Sequence, residues 1–292
     1  EIKFLHKMRK EIANAISEAK GFTFEILKAN PIEGGCINEA YHIKNNNQSY
    51  FVKLNHKNRI DMLAAEADGL REITATNTIK VPSPVCLGTI NQKAYLVLDY
   101  IRSTNGKSQM QLGENLAKLH SIHQNKFGWH RNNNIGLTKQ LNPFTENWAE
   151  FFRKYRLEFQ INLAKANGFH FQGTELLLNK FDDFFCDYKP KPSLLHGDLW
   201  SGNFAFDDLG IPFVFDPSNY YGDREAEFGL TEMFGGFSAE FWNGYESIYP
   251  LDSGFSIRKG IYRLYHTLNH LNLFGSQYAF NTQELIKRLT NS

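Results

Sequence analysis

The sequence predicts an α+β chain of two lobes: a small antiparallel β-sheet with one key helix, then a larger, mainly helical half. Three observations lead there. Short alternating apolar runs separated by Gly, Pro and Asn turns fill the first hundred residues. From Gln109 onward, apolar residues recur at helical spacing. A chain of 292 residues with 42% hydrophobic side chains can build a sizeable core in one large domain or two ordinary ones.

The first run, EIKFLHKMRKEIANAISEAK, reads as an amphipathic helix and not as a signal peptide, and no apolar stretch of 18 residues follows it. Because the chain starts at Glu1, residues upstream are missing or removed, or Met8 is the natural start; the sequence leaves these open. FTFEILKANPIEGG and EAYHIKNNNQSYFVKLN carry the alternation and turn residues of strands joined by hairpins. In DMLAAEADGLREIT, Met62, Leu63, Ala67, Leu70 and Ile73 fall at helical spacing, so one helix interrupts the sheet. VPSPVCLGTI and KAYLVLDYI add two strands, for about five in all. The segment from Asp99 to about Gly106 is the natural boundary, giving lobes of residues 1–100 and 101–292. Beyond it, QMQLGENLAKLHSIH, ENWAEFFRKYRLEFQINLAKAN, GTELLLNKFDDFFCDY and most of the chain from Ala226 carry helix-period stripes.

Composition narrows the partners. The 32 basic and 31 acidic side chains are interspersed, net +1, without a basic stripe, which argues against nucleic acid and acidic membrane surfaces. Aromatic residues make up 14% of the chain, most of them expected in the core, with some available to line a small-molecule pocket. Cys36, Cys86 and Cys186 lie far apart without a CxxC pair, which suits neither a disulfide framework nor a zinc site and fits a reducing cytoplasm. Cys36, next to a glycine pair, is expected to be a small turn residue.

The chemistry concentrates in LHGDLWSGN. His196, Asp198 and Asn203 fit H-x-D-x-x-x-x-N, and Asp216 follows thirteen residues later in the strand-like run IPFVFDPS. Phosphoryl transfer from ATP needs a carboxylate to orient and deprotonate the attacking hydroxyl, and oxygen ligands for the magnesium that bridges the phosphates. Asp198 suits the first task, Asn203 and Asp216 the second. H-x-D alone recurs by chance; with Asn203 and Asp216 at this spacing it becomes a candidate catalytic loop followed by a metal loop.

The small lobe tests that reading independently. FVKL offers Lys53 on a strand to hold phosphates, and the next helix offers Glu66 to orient it. Either residue in isolation would be an ordinary solvated side chain. Their order, after Gly34-Gly35 and before the hinge-like LVLDYI with Asp99, Tyr100 and Ile101, makes all seven candidates for the nucleotide site. The segment EGGCINEAYHI does not match G-x-G-x-x-G.

Together, HGDLWSGN, FDPSNYYGDREAEFGLTEMFGGF, GGCINEAYHI, FVK, and FGWHRNNNIG with the downstream NWAEFFRKYRLEFQ resemble the fructosamine kinase (ketosamine 3-kinase) family, relatives of aminoglycoside phosphotransferases and choline kinases within the protein-kinase-like fold. The resemblance spans essentially the whole chain. It implies ATP- and Mg2+-dependent phosphorylation of the sugar 3-hydroxyl of a ketosamine, a small molecule or glycated amine, giving an unstable adduct that returns the free amine. The fructose or ribose nature of the sugar stays open. Two departures stand out: Glu227 in REAEF, where the family commonly has Asp, and Asp99, where Glu is common. The longer Glu227 side chain can still accept backbone hydrogen bonds, so a structural adjustment is expected there.

His196 is expected to hold the catalytic loop by hydrogen bonds, since Asp198 already occupies the place of the base. Trp200 is the candidate to pack against the apolar C–H face of a sugar. Tyr220, Tyr221, Phe234 and Trp242 are more readily assigned to the core. Arg224 with Glu225 and Glu232 reads as an ion-pair network that supports the metal loop. Two other readings stay in view: a kinase of the same architecture acting on an aminoglycoside, choline or another small alcohol, and a nucleotide-binding protein without catalysis. TEMFGGF favours the ketosamine enzyme over the first, and the complete set Lys53, Asp198, Asn203 and Asp216 argues against the second.

Overall fold

The computed structural model describes residues 2–32, 37–104, 106 and 108–291, with side chains of the first helix from Met8 onward. Helix α1 (Ile2–Lys20) precedes a five-stranded sheet of β1 (Lys28–Ile32), β2 (Glu39–Lys44), β3 (Ser49–His56), β4 (Pro84–Ile90) and β5 (Lys93–Asp99), with α2 (Ile60–Thr76) between β3 and β4. All neighbours are antiparallel, in the order β1-β2-β3-β5-β4. Two-residue periodicity sorts each strand's side chains onto opposite faces. On the outer face Tyr50, Val52, Leu54, Tyr95 and Val97 meet Met8, Ile12 and Ile16 of α1 in one apolar cluster. On the inner face Ala94, Leu96 and Leu98 join Leu63, Ala67, Leu70 and Ile73 of α2 in a second cluster that runs on into the helical half. The stretch FTFE is not a strand: Phe24 instead plugs the outer cluster, its ring edge-on to Tyr50 at 5.0 Å.

The helical half comprises α3 (Met110–His120), the ribbon β6 (Asn133–Ile135) and β7 (Thr138–Gln140), α4 (Trp148–Phe152), and α5 (Phe159–Ala166), with a π-helical stretch Arg153–Glu158 between the last two. It continues through α6 (Thr174–Asn179), four short strands β8 (Ser193–Leu195), β9 (Phe204–Phe206), β10 (Pro212–Val214) and β11 (Tyr220–Gly222), then α7 (Phe228–Thr231), α8 (Ala239–Ile248), α9 (Phe255–Phe274) and α10 (Ala279–Asn291). The short strands pair as β9 with β10 and β8 with β11, so the segments around residues 198 and 216 emerge side by side. Among the described residues no helix is long and apolar enough to cross a membrane.

Candidate active site

Lys53 is placed by strand alternation. Val52 points outward into the α1 cluster, so its neighbour points inward, where it is only 4% exposed. A buried ammonium needs partners. Lys53 Nζ donates to Glu66 Oε1 of α2 at 2.7 Å and to Asp216 Oδ1 at 2.5 Å. Burial alone would pull the ammonium down, but Asp216 and Glu66 more than reverse that and raise its pKa. Burial also pushes the Glu66 carboxyl upward, with Lys53 opposing the shift. Asp216 stands at φ 59°, a left-handed conformation rare outside Gly and Asn, with its side chain 45% exposed. Such backbone strain clusters at sites where orientation matters.

The segment around His196 is supported from beneath. His196 uses both ring nitrogens: Nε2 donates to the Phe215 carbonyl at 2.9 Å, and Nδ1 accepts the Asp198 amide at 3.3 Å. That pattern requires the neutral ring, and burial lowers its pKa accordingly. Glu227 accepts the amides of His196 at 2.7 Å and Gly197 at 3.0 Å, so the longer acid does reach the backbone. Burial opposes ionisation of Glu227, yet His120 and the His196 amide bring its pKa below the ordinary value. Gly197 has φ 82°, and a Cβ there would sit 2.2 Å from the Ser218 carbonyl oxygen, so only glycine lets the two loops touch.

Asp198 is partly buried, and burial, reinforced by Asp216 and Glu227, raises its pKa well above the ordinary value. Asn203 Nδ2 donates to the Asp198 carbonyl at 2.8 Å and to Oδ2 at 3.3 Å, turning the amide nitrogen toward the aspartate. The Phe215 amide bonds to the Asn203 carbonyl at 3.0 Å, which ties Asn203 to the residue before Asp216. The donor set for a cation is one amide oxygen and one carboxylate. Among the described residues no group of three or more His, Cys, Asp or Glu could hold a metal by itself. Two hard oxygens beside a partly open space fit magnesium that completes its shell with phosphate and water.

Leu199 is buried and Trp200 turns outward at 37% exposure, its ring so close over Gly202 that a Cβ there would lie 2.3 Å from it. Phe234 of TEMFGGF, 44% exposed, lies 5.6 Å from Trp200 between ring centroids, so these two form an open aromatic wall. Tyr220 and Tyr221 are buried, and Trp242 packs on Phe228 at 5.0 Å. At the end of β5, Asp99 pairs with Lys20 at 3.1 Å, the Tyr100 ring stacks on His42 at 3.9 Å, and Ile101 is half-buried. Gly34, Gly35 and Cys36 lie outside the described residues.

The expected network of Arg224, Glu225 and Glu232 is wired differently. Glu225 takes a bidentate pair from Arg258 at 2.7 and 3.0 Å, Arg224 donates to Tyr245 and to the carbonyls of Tyr249 and Pro250, and Glu232 meets Lys259 at the surface. Charge balance explains the swap: a fully buried Glu225 needs a cation, whereas Arg224 can discharge its donors on carbonyls and lie over the Tyr249 ring at 3.6 Å. The acid that accepts the His196 and Gly197 amides is Glu227.

Comparison with known proteins agrees with this geometry. The family model described as fructosamine kinase matches residues 8–292. A Synechocystis protein named "Probable ketoamine kinase" is 43% identical over 280 residues, 95% of each chain. The "Protein-ribulosamine 3-kinase, chloroplastic" of Arabidopsis thaliana is 36% identical, covering 91% of this chain and 84% of its own. A crystal structure from Haemophilus somnus, named "Putative fructosamine-3-kinase", superposes with a TM-score of 0.89 at 32% identity over 95% of this chain and 96% of its own. The aminoglycoside phosphotransferase APH(4)-Ia shares the fold at 13% identity, TM-score 0.61, over 100% and 99% of the two chains. With its kinase-like α+β architecture and matching family model, the chain belongs to the fructosamine kinase family.

Proposed function

We propose that this protein transfers the γ-phosphoryl group of ATP to the 3-hydroxyl of a ketosamine, as part of a deglycation repair activity in the cytoplasm. The carrying observation is that Lys53 bonds directly to Glu66 and Asp216, while Asn203 bonds to Asp198 and is tied through Phe215 to the residue before Asp216. Asp198 orients the sugar hydroxyl and accepts its proton as the new P–O bond forms; its raised pKa suits a base that must take up a proton. Lys53 binds the α and β phosphates and Glu66 keeps it aimed. Asn203 and Asp216 hold magnesium, which when bound neutralises charge on the phosphates. His196 and Glu227 do no proton transfer; they fix the loop. Trp200, with Phe234, offers an aromatic face to the C–H side of the sugar. The run Asp99, Tyr100 and Ile101 borders the nucleotide, with the boundary between lobes at about 99–106, and the assignment of Gly34 and Gly35 to the nucleotide rests on the sequence.

The ketosamine class is supported by family membership and by relatives named ketoamine kinase and ribulosamine 3-kinase. The deciding experiment measures ADP release from magnesium-ATP with a ribulosamine, a fructosamine, an aminoglycoside and choline, alongside Asp198→Ala. Turnover on a ketosamine, lost in the variant, is the expected result and identifies the sugar. Turnover confined to another alcohol would sink the substrate assignment and leave the catalytic roles standing.

A further inference from the structure

Two motifs have no part in the chemistry above: FGWHRNNNIG and the YYG of SNYYGD. Both converge on α2, at Glu72. The Trp129 indole donates to Glu72 Oε2 at 2.6 Å, and the Tyr221 hydroxyl donates to Glu72 Oε1 at 2.9 Å. Trp129 and Tyr221 are themselves locked together, because Gly128 and Tyr221 exchange backbone hydrogen bonds at 2.9 Å. One turn earlier on the helix, Asp68 takes a 2.6 Å bond from Arg131. Between these contacts Gly69 lets the helix press on Asn219: a Cβ would lie 2.1 Å from the Asn219 side-chain oxygen. Glycine inside a helix costs about 1 kcal/mol relative to alanine, and this close approach is the physical reason for it here.

Glu66 sits six residues before Glu72, roughly a third of a turn around the same helix. Helices move as rigid rods, so whatever fixes Glu72 fixes Glu66. We propose that Glu72 is a positioning residue: by accepting hydrogen bonds from Trp129 and Tyr221 it fastens α2 to the helical half and holds Glu66 where it aims Lys53. Both motifs then form the socket for that helix. This rests on the assignment of Lys53 and Glu66 to the nucleotide.

The test is a double-mutant cycle on magnesium-ATP affinity, measured by titration without acceptor, with the thermal midpoint recorded for each variant. Glu72→Gln keeps the shape but offers one acceptor oxygen where two donors converge. The expected result is about a tenfold loss of magnesium-ATP affinity with Glu66 present, from loss of a charge-assisted hydrogen bond, and less than about twofold once Glu66→Gln is already in place. Trp129→Phe with Tyr221→Phe removes the donors instead of the acceptor and should show the same dependence on Glu66. Equal losses in both backgrounds, or none in either, overturn the proposal, since a merely structural role would be additive. Wild-type protein that binds magnesium-ATP but phosphorylates no ketosamine would refute the proposed substrate while the cycle still decides the role of Glu72. Failure of the wild type to bind magnesium-ATP would overturn both.

Discussion

On the outer face of the five-stranded sheet Val52 and Leu54 pack against Ile12 and Ile16 of α1 in a cluster closed on itself. On the inner face Lys53 shares a core wall with Leu96 and Leu98 that continues through α2 into the helical half. The two faces are a residue apart in sequence, yet it is the inner one whose core runs on into the helical half. A perturbation outside should change how much protein is folded; one inside should change what each folded molecule does.

The largest effect that sharpens this contrast is expected from Asp198→Asn, which removes the proposed base and should lower kcat by about 10²–10⁴. Because burial disfavours the Asp198 charge, the thermal midpoint should hold or rise; a fall in Tm matching the activity loss would mean that Asp198 is structural. Lys53→Met comes next, expected to lower kcat/KM for ATP by about 10²–10³ through loss of a charge on the phosphates. It also strands Glu66 in the interior, at a cost of about 3–5 kcal/mol. Adding Glu66→Gln should restore most of the stability and none of the activity, as read by chemical denaturation and steady-state kinetics.

On the outer face, Ile16→Ala should cost about 2–5 kcal/mol of stability. KM for ATP, corrected for the folded fraction, should stay as in the wild type, and a changed KM would break the division between faces. The smallest effect, taken group by group, is expected from pH. Burial depresses the pKa of His120, His196 and His266, the last to about 3. Below the unfolded-state value of about 6.5 the unfolded chain therefore binds more protons than the native one, and stability falls as pH falls. Each histidine contributes a slope of up to about 1.4 kcal/mol per pH unit in that window, measurable by denaturation at pH 7.5, 6.5 and 5.5. Asp198, raised, acts with the opposite sign, and Asp198→Asn should steepen the acid slope.

What was legible in the sequence follows from range. The strand FVKL and the helix after it are local patterns, so Lys53 and Glu66 could be picked out by their order, and the order of HGD, Asn203 and Asp216 reports a hairpin whose ends must meet. That Glu227 can accept backbone hydrogen bonds was legible too, from the family resemblance, which sets an acid at that position. The pairing of Glu225 was not: Arg224 is its neighbour in sequence, but its partner Arg258 is 33 residues away on α9. Glu72 carries no signal in the sequence, since its donors lie 57 and 149 residues distant. The ribbons β6–β7 and β8–β11 are three-residue strands, too short for periodicity to register. FTFE alternates like a strand, yet Phe24 packs under α1 and leaves the sheet to begin at Lys28.

The outward turn of Trp200 has a practical side. Of the four tryptophans, Trp129 and Trp148 are 3% exposed and Trp242 is half-buried against Phe228, whereas Trp200 stands open beside Asp198. The candidate site thus carries its own optical gauge: red-shifted emission and access to iodide quenching belong mainly to one indole, and a sugar settling on that ring would be visible without any label.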